Sequence, residues 1–132
     1  MVKIVMAVFV GGALGAMLRE FSMLMVPNLA DNFPLDILVA NLVAAFLLGL
    51  VTALHRRRIV SEGAEMLVGT GIAGGLSTFS SFVYGAVVLM SASAASAVVA
   101  SVYVVISLVL GYIAVTVGLK LGGQGPDRLS PM

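Results

Sequence analysis

Residues Gly71–Phe82 read GIAGGLSTFSSF and lie inside an apolar run from Ala64 to Met90. A continuous helix over that run would be roughly 40 Å long, enough to cross a bilayer with tilt. Near its middle fall Gly74 and Gly75, followed by the hydroxyls of Ser77, Thr78, Ser80 and Ser81. Glycine costs helix stability, and short hydroxyl side chains compete for backbone hydrogen bonds. The stretch therefore predicts a helix interrupted at membrane depth. Backbone groups freed there must be buried in protein or line a water-accessible cavity, and such interruptions mark ion and substrate sites. The plainer alternative is a kinked helix whose hydroxyls bond back to their own carbonyls. The density of glycines and hydroxyls favours the interruption.

Composition sets the solvent for the rest of the chain. It has 132 residues, of which 61% are hydrophobic and 10% charged, with a mean hydropathy of +1.16. A water-soluble domain of this size could not hide so much apolar surface. Long apolar runs without period-two alternation argue for helices over a barrel. There is no cysteine, hence no disulfide or thiolate chemistry, and a net charge of +1 offers no polybasic surface for nucleic acid. The first 26 residues lack a small-residue cleavage pattern and are read as a span, not a signal peptide.

Working outward gives a single four-helix transmembrane domain over 1–121, with spans at about 4–26, 35–54, 64–90 and 94–121, and a tail at 122–132 expected to be disordered. Span one carries Gly11, Gly12, Gly15 and Ala16, a GxxxG spacing that lets another helix approach closely. Arg19 and Glu20 follow near its far end, either as a snorkelling pair or in a buried role. The loop Pro27–Pro34 is expected in water or at the interface. Span two aligns Asn41, Ala45, Gly49 and Thr52 at helical spacing. Asn41 is the only amide within a span, and its donors and acceptor need partners in lipid. It serves either as helix–helix glue or as a pore-facing donor. His55-Arg56-Arg57-Arg58, Glu62 and Glu65 make one charged end; His55 is the only histidine and lacks a second metal ligand nearby. Span four places Tyr103, Ser107, Gly111, Ala114 and Gly118 on one face. That face is either a packing seam or a polar track along a pore, and spacing alone does not choose.

Three segments then carry a resemblance. GGALGAMLRE in span one, NLVAAFLLG in span two and GGLSTFSSF in span three resemble the Fluc (CrcB) family of small fluoride channels. The resemblance covers all four spans, and the span-three motif is its specific part. It implies four-span subunits assembled as an antiparallel, dual-topology homodimer with two narrow pores. It implies passive, fluoride-selective export across a bacterial inner membrane. On this sequence it makes Phe79 and Phe82 the paired pore phenylalanines and Asn41 the polar residue of span two. Ser81 would line the path, Tyr103 and Ser107 would belong to the polar track, and the carbonyls of Gly74 and Ser77 would hold a central structural sodium ion. Two positions depart from the family: Ser77 stands where threonine is usual, and Gly111 where some members carry another track hydroxyl.

The chemistry suits those residue types. Fluoride is small, hard and strongly hydrated, so a pore must replace its water with donors without holding it too tightly. Asn41, the serines and Tyr103 donate, and aromatic ring edges are partially positive. Two phenylalanines three apart also suit ordinary packing. The rival reading is a small proton-coupled multidrug exporter built around Glu20, the one carboxylate within a span that could fill the role; the chain has no tryptophan for a cation pocket. A third is an accessory subunit whose glycine faces serve assembly. No nucleophile–base constellation suggests an enzyme.

Overall fold

The computed structural model describes residues 1–26 and 33–124. Helix α1 runs Val2–Met25 and α2 runs Leu35–Arg56. The third apolar stretch is composite. It starts with a short α3, Glu62–Glu65, widens into a π-helical segment, Met66–Ala73, and tightens again in α4, Gly74–Leu76. Ser77 and Thr78 are then extended, with ψ of 150° and 113°, and α5 follows over Phe79–Ala92. Helix α6 runs Ala94–Gly123. Four stretches are long and apolar enough to cross a membrane: Val2–Met25, Leu35–Arg56, Glu62–Ala92 and Ala94–Gly123. The chain is an all-helical, multi-pass integral membrane protein.

Side-chain hydroxyls cap three of these helix starts. Ser61 Oγ accepts from the Ala64 N–H at 3.2 Å, Thr78 Oγ1 from the Ser81 N–H at 3.1 Å, and Ser93 Oγ from the Ser96 N–H at 3.1 Å. Each hydroxyl satisfies one of the donors that a helix start leaves free. At the other end of α6, the Arg57 guanidinium donates to the carbonyls of Gly122, at 3.0 Å, and Gln124. A cation there complements the helix dipole and carries the helix past Leu121 to Gly123. Of the expected tail 122–132, Gly122 and Gly123 belong to α6; residues 125–132, and residues 27–32 of the loop Pro27–Pro34, lie outside the described residues.

Two seams of small residues hold the helices together. Helix α1 lies along the π-helical segment and α4, running in the same direction: Gly11 sits at Leu67–Ile72 and Gly15 at Ile72–Leu76. A Cβ on Gly15 would stand 2.2 Å from the Ile72 carbonyl oxygen, so only glycine permits this approach. The GxxxG face of span one thus receives the third span. Helices α2 and α6 also run in the same direction, and a Cβ on Gly118 would stand 2.3 Å from the Phe46 carbonyl oxygen. Between the seams lies an alanine-rich core of Ala40, Ala44, Ala73 and Leu76. A second cluster forms under α5 from Leu38, Ala86 and Tyr103, with Phe33 and Phe82 against it. The outer faces carry exposed Val5, Phe9, Leu24, Val98, Leu108 and Tyr112, as expected of a protein whose solvent is lipid.

This arrangement gathers charge at one end. Parallel α1 and third span put Lys3 on the same side as Glu62, and the Arg57 contact brings the end of α6 to that side as well. The α2–α3 turn is built there, with Arg58 in the left-handed region at φ 56°. His55 closes the turn: Nδ1 lies 3.2 Å from the Val60 carbonyl and Nε2 lies 3.4 Å from a Glu65 carboxylate oxygen.

A candidate anion path beside the interrupted third span

The interruption after Leu76 is held by a side chain from another helix. Asn41 Oδ1 accepts from the Thr78 N–H at 2.7 Å, and Asn41 Nδ2 donates to the Thr78 carbonyl at 3.3 Å. A backbone N–H can only donate, so it fixes which way the amide points. Asn41 therefore spends its oxygen and one N–H on the backbone of a single residue, and retains one N–H to donate elsewhere. Asn41 thus joins α2 to the third span.

A groove of about 640 Å³ opens at this point. Asn41, Gly74, Ser77, Phe79, Phe82 and Ser107 all line it, together with Thr70, Thr78, Leu108 and small residues of α2 and the third span. None of its lining residues is titratable. Any ion using the groove would meet neutral donors, carbonyls and ring edges, and no full charge that could trap it. Six of the eight site residues chosen from the sequence are thus brought together. Ser81 and Tyr103 stand one step behind the wall: Ser81 accepts from Thr78 Oγ1 at 3.0 Å, and Tyr103 packs on Phe82 with ring centroids 5.4 Å apart.

Hydroxyl bookkeeping distinguishes this region from the rest of the membrane helices. Ser22, Ser91, Ser101 and Thr116 each donate to the carbonyl four residues earlier, at 2.7–3.0 Å. That is the ordinary fate of a hydroxyl in lipid. Ser107 Oγ and Tyr103 Oη do not follow it. Both atoms are buried, and neither bonds back to its own helix; the two hydroxyls interact with each other instead. They form a polar pair one turn apart on α6.

The aromatic residues form a file. Phe79 and Phe82 lie 6.1 Å apart at 35°, Phe82 and Tyr103 at 40°, and Phe33 meets Tyr103 edge-on at 5.4 Å. Phe82 is half-buried, whereas Phe79 is 78% exposed, so the file leads out of the subunit. On the same open side Gly74 has nothing within 4 Å of where a Cβ would stand. Its carbonyl receives a long contact, 3.4 Å, from Ser77 Oγ. Among the described residues no group of histidine, cysteine and carboxylate side chains could hold a metal. A cation here would depend on backbone carbonyls instead.

Glu20 lies apart from all of this. It is not among the groove residues, its side chain is 68% exposed, and it rests 3.6 Å from Arg19 Nε. Thr78 is the site residue that sequence reasoning passed over. Its hydroxyl was counted within a cluster, and the signal that singles it out is its place as the cap of α5.

Fold and site together define a small multi-pass membrane protein with a neutral, donor-lined groove beside a two-residue interruption. The family model described as "CrcB-like protein, Camphor Resistance (CrcB)" matches residues 6–119, and the chain belongs to that family. It is 57% identical over 129 residues to a fluoride-specific ion channel of Brucella melitensis biotype 1, named FluC 2, covering 98% of this chain and 48% of that protein. It is 54% identical over 122 residues to FluC 3 of Yersinia pseudotuberculosis serotype I, a fluoride-specific ion channel, covering 92% and 90% of the two chains. A fluoride-specific ion channel of Ignicoccus hospitalis is 37% identical over 119 residues, covering 90% and 94%. The chain thus spans about half the length of the Brucella relatives and nearly the whole of the other two.

Proposed function

We propose that the protein is a fluoride-selective channel, not an enzyme, carrying fluoride passively out of the cell across a bacterial inner membrane. The observation that carries this reading is the uncharged groove that brings Asn41, with one amide N–H to spare, together with Ser107, the Tyr103 hydroxyl adjoining it. A hydrated anion needs donors to replace its water, and these neutral groups can donate. Ser81 adds a further hydroxyl, and the edges of Phe79 and Phe82 add weak positive potential. The names of the relatives point the same way.

The functional unit in this reading is an antiparallel homodimer with two pores. The open groove, the exposed Phe79 and the uncovered Gly74 leave one side of the site unfinished in a single subunit. A second copy related by a two-fold axis would finish both sites at once. Across that axis each subunit would offer the carbonyls of Gly74 and Ser77 to one sodium ion near the bilayer midplane. Neutral oxygens without a nearby carboxylate suit a hard monovalent cation. When bound, the ion would pin the two interruptions together and offset freed carbonyls. The charged end of the subunit, with Lys3, Arg56 and Arg58, favours one orientation under the positive-inside rule; dual topology requires that this bias be incomplete.

The test is fluoride efflux from liposomes holding the purified protein. Passive efflux without a proton gradient is expected. Proton-driven uptake of hydrophobic cations would instead assign the chain to the exporters, and no transport at all would leave it an assembly subunit.

A further inference from the structure

Thr78 is buried, 6% exposed, and none of the donor assignments above uses its hydroxyl. Its backbone N–H and carbonyl hold the Asn41 amide at both ends. Its hydroxyl oxygen accepts the Ser81 N–H at 3.1 Å, and its hydroxyl proton goes to Ser81 Oγ at 3.0 Å. Ser80 Oγ lies 3.3 Å away.

We propose that Thr78 is the positioning residue of the fluoride path, setting the direction in which Asn41 and Ser81 donate. The inference rests on the channel reading and deepens it. A serine hydroxyl can donate or accept, and an anion can use only the first state. Ser81 Oγ already accepts from Thr78, so its own proton must point elsewhere. In a membrane helix a serine commonly gives that proton to the carbonyl four residues back, as Ser22, Ser91 and Ser101 do here. For Ser81 that carbonyl belongs to Ser77, one of the two proposed cation ligands. Ser81 makes no such bond. The Thr78 hydroxyl thus keeps Ser81 a donor toward the path and strengthens it, because hydrogen bonds in a chain polarise one another.

The experiment measures fluoride efflux from liposomes and thermal stability for Thr78→Ser, Thr78→Val, Thr78→Gly, Ser81→Ala and the double variant Thr78→Val/Ser81→Ala. Thr78→Ser keeps the hydroxyl and should match the wild type. Thr78→Val should slow efflux on the order of tenfold, the effect of one lost hydrogen bond to a charged partner. Glycine is a tolerated helix cap, so Thr78→Gly should fold and melt close to the wild type, but it has no side-chain donor for Ser81 and should be slow as well. It carries the test if the valine variant fails to assemble. The double variant should be no slower than Ser81→Ala alone. Normal efflux in Thr78→Gly beside a slow Ser81→Ala would overturn the positioning role and leave the channel reading intact, as would multiplied defects in the double variant. Normal efflux in Ser81→Ala would remove Ser81 from the path and the inference with it.

Discussion

The glycine seams and the interrupted third span sit side by side in one motif and do opposite things. On the seam, Gly75 presses toward α1: a Cβ there would stand 2.3 Å from the Gly12 carbonyl oxygen. Backbone meets backbone, and no room is left. Two residues on, at Ser77 and Thr78, the helix opens, and the groove beside it is finished only on one side. The glycines do not make the opening. Gly74 is helical, with φ −65° and ψ −39°, and the helix continues through Gly75 to Leu76. The opening is made by polar groups that offer better partners than the helix does: the Asn41 amide for the Thr78 peptide, and the Thr78 hydroxyl for the Ser81 N–H. In lipid-facing helices, then, small residues set how closely helices approach, and polar residues decide where the backbone may leave the helix.

The largest effect should come from filling a seam. Gly15→Val places a side chain against the Ile72 carbonyl and should cost about 2–3 kcal/mol or more, enough to abolish assembly of a purified, folded protein. Gly111→Ala, where a Cβ meets nothing within 4 Å, should leave the melting temperature unchanged or slightly higher. Equal losses in the two variants would remove the distinction between seam and open face. Next come the phenylalanines. Phe79→Ile and Phe82→Ile keep bulk and remove the ring edge, so each should slow fluoride efflux strongly while the melting temperature holds; wild-type efflux would return both residues to packing. A smaller effect is expected from the cation. Prolonged sodium removal should weaken dimer association and leave each subunit's seams intact. Unchanged association would count against carbonyl ligands at Gly74 and Ser77.

Much of this was legible in the sequence, for physical reasons. Four spans follow from apolar length alone, because lipid demands it. Tyr103 and Ser107 follow from helical spacing, and their surroundings differ only because Phe33 and Phe82 cover Tyr103 while Ser107 reaches the groove. The π-helical widening over Met66–Ala73 has no signature in residue type. The division of labour between Gly75 and Thr78 was hidden, because close approach depends on which helix lies opposite. The partner of Asn41 lies 37 residues away in sequence, and no local pattern announces it. Thr78 was hidden among neighbouring hydroxyls, since only a cap geometry tells one serine or threonine from the next.

The most direct test pairs the wild type with Asn41→Asp in fluoride-loaded liposomes. The aspartate keeps the acceptor for the Thr78 N–H but loses both amide donors and adds a negative charge beside the path. The account predicts rapid passive efflux from the wild type and none above background from the variant, with both proteins eluting as the same assembly. Equal efflux from the two would contradict it, because fluoride would then be crossing somewhere other than beside the interrupted helix.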